Sequence, residues 1–274
     1  MTRTGSLLRA SHPEPTAAVT AIATGLAVST GLGARSLLVT AAFLTGQLSV
    51  GWSNDWVDAA RDARTRRADK PVARGDLPVG TVRTAALTAA ALCVPASLAL
   101  GLVPGLLHLA AVTAAWSYNV RLKSTLASWV PYALAFGAVP SIVTLALPGG
   151  PPAPAWATLA GALLGVGAHL CNVLPDLEED LATGVRGLPH ALGAGRSGVL
   201  AAALLLGAAL LLALGPGRPG PVPVMAVLLA AAVTGWGLVR ARRPGSRDAF
   251  RAAIVVAGVS VGLLVARGAA LVPG

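Results

Sequence analysis

Acidic residues and cysteines are both scarce in this chain of 274 residues. Only 11 residues are Asp or Glu, and the two cysteines, Cys93 and Cys171, fall inside apolar runs. Two isolated cysteines supply neither a disulfide framework nor a cysteine-rich metal motif. Charged residues make up 12% of the sequence, and no polar stretch is long enough for a soluble domain. These shortages exclude a disulfide-rich secreted protein and a soluble globular enzyme.

Apolar residues are abundant instead. Hydrophobic residues make up 55% of the chain, and the mean hydropathy is +0.71. Nine nearly uncharged segments lie at residues 16–33, 36–54, 84–103, 105–118, 126–147, 154–174, 198–215, 221–239 and 252–271. Most approach the roughly 17–25 residues that a helix needs to cross a bilayer. The sequence therefore predicts an all-α, polytopic membrane protein with nine transmembrane helices, in a single domain that covers residues 1–274.

The positive charges fall on alternate loops of this predicted topology. With a cytoplasmic N-terminus, 18 of the 21 Lys and Arg lie on the cytoplasmic side, and only Arg35, Arg218 and Arg267 lie outside. This bias is typical of membrane proteins and predicts a multi-pass protein of the cell membrane with its N-terminus in the cytoplasm. The basic segments are short loops between spans. They suit anionic lipid or an anionic substrate and argue against nucleic-acid binding.

The acidic residues are gathered at two places. Nine of the 11 lie in segments 55–76 and 176–180, and the other two are Glu14 and Asp248. An Asp near the middle of a bilayer costs roughly 2.5–3.5 kcal/mol, so carboxylates close to membrane spans are usually few. Two clusters at span ends therefore indicate a functional site.

The first acidic cluster has helical spacing. On an α-helix, Asn54, Asp58 and Asp62 fall within an arc of about 80°, and Asp55 lies in the same sector. One helical face is therefore predicted to present all four side chains.

The second acidic cluster repeats the N-x3-D-x3-D spacing. Asn172, Asp176 and Asp180 lie at the end of the sixth predicted span, 118 residues after the first triplet, and would form a second helical face. Each triplet follows the second span of a four-span block. An internal duplication accounts for this, with blocks at about 16–118 and 126–239 and a ninth helix added. Two such blocks facing each other would place both acidic faces in one central cavity open to the cytoplasm.

Carboxylates that face one another repel unless a cation lies between them. A set of oxygen ligands favours Mg2+, which binds one or two carboxylates together with substrate phosphates. Basic residues beside the two clusters suit the remaining phosphate oxygens. They are Arg66, Arg67, Lys70, Arg74, Lys123 and Arg186. The residues alone thus indicate a polyphosphate held with Mg2+.

Three motifs resemble those of the UbiA superfamily of intramembrane prenyltransferases. NDWVDAARD with RRADKPVARG is similar to the first aspartate-rich motif, NVLPDLEEDLATGVRGLPHALG to the second, and YNVRLKS to the Tyr and Lys signature between them. The resemblance implies a helical bundle around a central cavity. It also implies Mg2+-dependent transfer of an isoprenyl group from a prenyl diphosphate to a small, usually aromatic, acceptor, as in the biosynthesis of quinones or other prenylated metabolites.

The resemblance implies roles for individual residues as well. The catalytic acids would be Asp58, Asp62, Asp176 and Asp180. These four would hold metal together with Asn54, Asp55 and Asn172, and the two Asn would also contact substrate. The diphosphate would be bound by Arg66, Lys70, Arg74, Lys123 and Arg186, and Tyr118 would contact it or the first isoprene unit. Asn172 departs from the Asp that many aromatic prenyltransferases have there, so the acceptor stays open.

Two other functions are compatible with these patterns. A terpene cyclase on the same scaffold would ionise the same prenyl diphosphate without an acceptor, although the low aromatic content of 4% favours transfer. An ion-coupled transporter would also carry acids in the membrane, but more often as isolated acids near the middle of the bilayer. The four histidines have no common spacing that would indicate a metal site.

Overall fold

The computed structural model describes residues 2–65, 70–240 and 248–272, which form α-helices joined by short turns and contain no strand. The all-α prediction is therefore confirmed. The helices are α1 (Arg3–Ala10), α2 (Pro13–Ser29), α3 (Ser36–Arg64), α4 (Val79–Leu98), α5 (Leu102–Val120), α6 (Val130–Leu145), α7 (Ala155–Val173), α8 (Leu177–Ala182), α9 (Leu188–Leu214), α10 (Pro221–Arg240) and α11 (Asp248–Ala266). Single 3-10 turns lie at Gly33–Arg35, Leu122–Ser124, Leu174–Asp176 and Gly268–Leu271.

Each of the nine apolar segments corresponds to one helix, from α2 to α7 and from α9 to α11. The two largest differences in boundary, ten residues each, concern the start of α9, at Leu188 instead of residue 198, and the end of α3. The apolar segment ends at residue 54, whereas the helix continues to Arg64 and carries the whole first aspartate motif. The pattern does not predict α1 and α8, because helices of 8 and 6 residues are too short to show an apolar period.

Three stretches of the described residues are long and apolar enough to cross a membrane by length and composition alone. They are Val79–Leu98, Ala155–Ala182 and Leu188–Leu214. The predicted count of nine spans is therefore not confirmed. The outer surface of the bundle is nevertheless rich in large apolar side chains, and Leu37, Leu102 and Val222 are each about 70% exposed. Such a surface is suited to contact with lipid.

The long helices pack in a closed ring. Neighbours around the ring are α2, α3, α5, α6, α7, α9 and α11, and α11 packs back against α2. Helix α4 packs against α3 and α5, and α10 packs against α9 and α11. Helices α3 and α7 are thus separated by α5 and α6 on one side of the ring. Helix α2 also packs against α6, and α7 against α11, so the ring has contacts across its interior.

Glycines allow α6 and α7 to approach closely. A Cβ atom on Gly165 would lie 2.3 Å from the carbonyl oxygen of Tyr132, and one on Gly161 would lie 2.5 Å from that of Phe136. No real side chain fits at these distances, because the obstructing atoms belong to the backbone of α6. This small-residue packing is a common way to join helices in membranes.

Replacing Gly165 by Ala should therefore destabilise the protein by about 1–3 kcal/mol, because the added methyl group forces α6 and α7 apart. Thermal unfolding in detergent would measure this as a lower transition temperature. The matched control is Gly258→Ala in α11, where nothing lies within 4 Å of the position that the new methyl group would take and Ala favours the helix. Equal stability of the two variants would show that the α6–α7 contact is looser than described.

Candidate active site

The first aspartate motif lies on one uninterrupted helix, α3. Asp55, Asp58 and Asp62 are 1%, 5% and 5% exposed. Carboxylates buried to this degree need paired charges or hydrogen bonds, because an isolated buried charge is strongly unfavourable. The predicted helical face is therefore present, and its partners determine what it can bind.

Two cations hold Asp58. Lys123, in the turn after α5, donates a hydrogen bond to Asp58 Oδ1. Arg61 donates from Nη2 to Asp58 Oδ2 at 2.8 Å, and its Nε lies 3.7 Å from Asp62 Oδ1. Both oxygens of Asp58 are therefore neutralised by basic side chains from different parts of the chain. The Lys123 side chain is only 11% exposed.

Burial shifts the pKa values of these groups in opposite directions. Loss of water lowers the pKa of the Lys123 ammonium, and the neighbouring Asp58 only partly offsets this. Burial raises the pKa of the Asp62 carboxyl, while Lys70 and Arg61 act against the shift. The charged side chains of the site are therefore poorly hydrated, and their charges are stabilised mainly by one another.

Asn54 and Asp55 belong to a second polar network. Lys70 Nζ donates to Asp55 Oδ1 at 2.6 Å and to Asn54 Oδ1 at 3.3 Å. Asn54 in turn donates from Nδ2 to Asn119 Oδ1 at 3.3 Å, and Asn119 donates to Ser53 Oγ at 2.8 Å. Burial acts to raise the pKa of Asp55, but the hydrogen bond with His12 and the charge of Lys70 outweigh it and hold that pKa below its ordinary value.

The second aspartate motif does not lie on one regular α-helix, so its residues do not repeat the uninterrupted arrangement of the first motif. Helix α7 ends at Val173, a 3-10 turn covers Leu174–Asp176, and α8 begins at Leu177. Asn172 therefore lies on α7, Asp176 in the turn and Asp180 on α8. Pro175 explains the break, because proline cannot donate the backbone hydrogen bond that would continue α7.

The two motifs nevertheless share one electrostatic environment. Arg61, which contacts Asp58, also acts on the charge of Asp180. Tyr118 at the end of α5 lies within electrostatic range of both Asp58 and Asp180. The end of α3 and the segment after α7 therefore face a common region. We call the region formed by residues 54–62 and 172–180 the acidic end.

The remaining residues predicted for the site differ in exposure and in their contacts with the first motif. Arg74 is exposed and donates a hydrogen bond to Asp76. Arg186 and Asn172 are exposed. Arg66 lies outside the described residues. The described structure thus brings Lys70 and Lys123 into direct contact with the first motif, and shows no such contact for Arg186.

An aromatic cluster adjoins the acidic end. The ring of Tyr118 lies 5.1 Å from that of Tyr132 and 5.5 Å from that of His169, measured between centroids. The rings of Tyr132 and Phe136 are 6.4 Å apart and stacked. His169 is fixed through Nε2 by Ser128 Oγ at 3.0 Å. These rings from α5, α6 and α7 form an apolar wall next to the charged groups.

Sequence reasoning did not assign a site role to Arg61, Asn119, His12 or His169. Helical spacing could have indicated Arg61, because it lies three residues after Asp58 on α3 and i,i+3 side chains are neighbours. Asn119 directly follows Tyr118 and could have been included with that motif. No periodicity connects His12 or His169 with the aspartates, since these contacts join distant parts of the chain.

The possible metal ligands at the acidic end are carboxylate and amide oxygens. Among the described residues, no group of three His, Cys, Asp or Glu side chains is already gathered around a single point. Instead, Lys70, Lys123 and Arg61 neutralise the carboxylates. One oxygen, Asp55 Oδ2, is buried and has no hydrogen-bond partner among the described residues.

A family model for the UbiA prenyltransferase family matches residues 15–258 of the chain. The chain belongs to the UbiA prenyltransferase family. Solved structures share its fold. A UbiA homologue from Archaeoglobus fulgidus, bound to GPP and Mg2+, has a TM-score of 0.69 and 17% identity, over 95% of this chain and 99% of that one. A UbiA homologue from Aeropyrum pernix K1 has a TM-score of 0.66 and 16% identity, over 96% and 98% of the two chains.

A third solved structure, of digeranylgeranylglyceryl phosphate synthase, has a TM-score of 0.65 and 15% identity, over 98% of this chain and 99% of that one. No curated protein matches the chain. At these identities the structural likeness shows the UbiA fold alone. This shared fold is consistent with membership of the UbiA family and with the arrangement of the helices in a closed ring.

Proposed function

We propose that this UbiA-family protein transfers an isoprenyl group from a prenyl diphosphate to a small aromatic acceptor in a reaction that depends on Mg2+. The observation that carries the proposal is the arrangement around Asp58. Lys123 and Arg61 both donate hydrogen bonds to its carboxylate, and Arg61 also interacts electrostatically with Asp180. Acids and bases interleaved in this way suit a metal-bound diphosphate, which presents positive and negative charge together.

The oxygen donors at the acidic end fit Mg2+. This ion prefers oxygen ligands and needs only one or two protein carboxylates when phosphates and water complete its shell. The buried, unpartnered Asp55 Oδ2 is an acceptor that a cation would satisfy. The proposed ligands are Asn54, Asp55, Asp58, Asp62, Asn172, Asp176 and Asp180. When bound, Mg2+ would neutralise charge that builds up on the departing diphosphate.

The chain's own cations would stabilise the same leaving group. Lys70 and Lys123 end in ammonium groups at the first motif, where burial strengthens their interaction with phosphate oxygens. Arg66, Arg74 and Arg186 are proposed as further diphosphate contacts, and the proposal requires the Arg74 and Arg186 side chains to turn toward the acidic end. Catalysis then consists mainly of helping the allylic C–O bond to ionise.

The apolar bundle would protect the reacting chain from water. The wall of Tyr118, Tyr132 and Phe136 beside the acidic end excludes water and presents aromatic faces to positive charge. We further propose that the nine apolar segments, which lie within α2 to α7 and α9 to α11, make nine spans, with the N-terminus and the acidic end on the cytoplasmic side of the cell membrane. The distribution of Lys and Arg supports that orientation. A duplication of blocks 16–118 and 126–239 is part of the same proposal.

Product analysis tests the proposed function directly. Purified protein in detergent with Mg2+ should convert prenyl diphosphates of increasing length, together with hydroxybenzoate or dihydroxynaphthoate, into prenylated acceptors detectable by mass spectrometry. Each donor is also incubated without acceptor. A hydrocarbon formed without acceptor would assign a terpene cyclase instead, and an absence of diphosphate release from every donor would contradict both.

A further inference from the structure

Two basic side chains converge on one oxygen of Asp55. His12 Nε2 lies 2.9 Å from Asp55 Oδ1, and Lys70 Nζ lies 2.6 Å from the same atom. The two nitrogens are themselves 2.9 Å apart. Asp55 is 1% exposed, so its carboxylate depends on protein side chains for hydrogen bonds. A single carboxylate oxygen therefore has two competing donors from distant parts of the chain.

The three contacts cannot all be hydrogen bonds at once. An imidazole nitrogen either carries hydrogen and donates, or lacks it and accepts. With hydrogen on Nε2, His12 donates to Asp55 and Lys70 Nζ faces another donor. With hydrogen on Nδ1, Lys70 donates to both neighbours and the Nε2 lone pair of His12 faces the carboxylate. One of the two basic side chains is therefore sufficient to pair Asp55.

His12 is the partner with a fixed position. Its backbone has φ 53°, and it is the one non-glycine residue with positive φ in the described part of the chain. Its N–H donates to Arg9 O at 3.2 Å, and its carbonyl accepts from Thr16 N at 3.1 Å. These bonds lock the junction between α1 and α2, so the imidazole is presented to Asp55 by a rigid backbone.

Helix α1 and this junction are docked closely on α3. A Cβ atom on Gly51 would lie 2.1 Å from the carbonyl oxygen of Ser11, so only glycine permits the approach. Trp52 Nε1 donates to Leu7 O at 2.9 Å, and Ala10 packs with Leu77 in a small apolar cluster. The docking surface lies directly before Asn54 and Asp55 in the sequence.

Lys70 is the partner that can change its contacts. Its ammonium lies at the end of a four-carbon stem and offers three donors, whereas the imidazole of His12 is rigid. It already divides its hydrogen bonds between Asp55 and Asn54. A diphosphate bound at the acidic end would offer stronger acceptors for these donors than a neutral amide does.

We propose that His12 is a positioning residue. It donates a hydrogen bond to Asp55 when Lys70 leaves Asp55 to bind the diphosphate of the substrate. The inference rests on the proposed function. His12 already lies at hydrogen-bond distance from Asp55, so the exchange needs a new tautomer and no movement of the backbone. Without His12, the release of Lys70 would leave the buried Oδ1 of Asp55 without a hydrogen-bond donor, and Asp55 would retain Lys70 at the expense of the diphosphate.

A matched pair of substitutions tests this role. Gln and Met have similar length and shape, but only Gln can donate a hydrogen bond to Asp55. Calorimetric titration of the purified full-length protein with inorganic diphosphate in Mg2+ should show that His12→Met binds about tenfold more weakly than wild type. The His12→Gln variant should stay within about threefold of wild type.

A second measurement separates positioning from structural support. In the turnover assay, His12→Met should raise the KM for the prenyl diphosphate and leave the KM for the acceptor unchanged. A purely structural role would lower the unfolding temperature of the ligand-free protein and reduce the active fraction without changing diphosphate affinity. Equal diphosphate affinity of His12→Met and wild type, or equally weak binding by His12→Gln, would overturn the role of His12 alone. Failure of the wild type to bind diphosphate would overturn the proposed function as well.

Discussion

Replacing Asp58 by Asn should reduce turnover by a factor of about 100–1,000 or more, while the protein still folds in membranes. Asn keeps the size of the side chain but removes its charge and turns one acceptor oxygen into a donor. Lys123 and Arg61 both donate to Asp58, so one of them would face a donor instead of an acceptor. The acidic end would also lose a ligand proposed for Mg2+. Turnover at saturating prenyl diphosphate and Mg2+ measures the effect.

The matched control is Glu14→Gln. This change also converts a carboxylate into an amide, but Glu14 is exposed in the first turn of α2. Its activity should stay within about twofold of wild type, because surface substitutions cost little. Gel filtration in detergent checks that Asp58→Asn remains folded. Full activity of that variant would count decisively against a role for Asp58 in ionising the substrate.

Removal of divalent cations should stop product formation. Excess EDTA is expected to lower activity to about 1% or less, because acids and diphosphate at the acidic end would otherwise repel one another. Subsequent addition of excess Mg2+ should restore the rate. The effect is measured as prenylated product per unit time.

EDTA saturated beforehand with Mg2+ serves as the control, since it tests the chelator itself without removing metal. This mixture should leave the activity unchanged. Persistent turnover in excess free EDTA would show that Lys70, Lys123 and the Arg residues suffice without metal. The ligand assignments for Asp58 and Asp180 would then be wrong.

The first aspartate motif was predictable because it depends on one local rule. Asn54, Asp58 and Asp62 have helical spacing, and α3 continues through all of them as a regular helix. Spacing that predicts a shared face is reliable where a helix has no break. Helical spacing also places Arg61 beside Asp58. Because this segment contains many Arg residues, the sequence did not single out Arg61 as a contact of Asp58.

The second motif shows where that rule fails. Its residues have the same spacing, but Pro175 ends the helix within the motif. The proline was visible in the sequence, yet its effect on the placement of Asp176 and Asp180 depends on how the chain restarts in α8. Spacing alone therefore predicted one helix where the chain has a helix, a 3-10 turn and a second short helix.

Contacts between distant segments account for the rest. His12 reaches Asp55 across 43 residues, and Lys123 reaches Asp58 across 65. No pattern within one segment can indicate such pairs, because they follow from the packing of α1 and α5 on α3. The nine apolar runs predicted the helices well because each helix is buried in lipid or protein. Each helix therefore carries an apolar run in its own sequence, independent of its partners.

The break at Pro175 gives the two sides of the acidic end unequal freedom to adjust. On α3, the carboxylates share one continuous hydrogen-bonded backbone, which fixes the spacing of their Cα atoms. On the other side, a helix, a 3-10 turn and a second short helix carry Asn172, Asp176 and Asp180 in turn. Under the proposed function, we therefore expect differences in headgroup size or ion radius to be accommodated mainly by the segment 172–180.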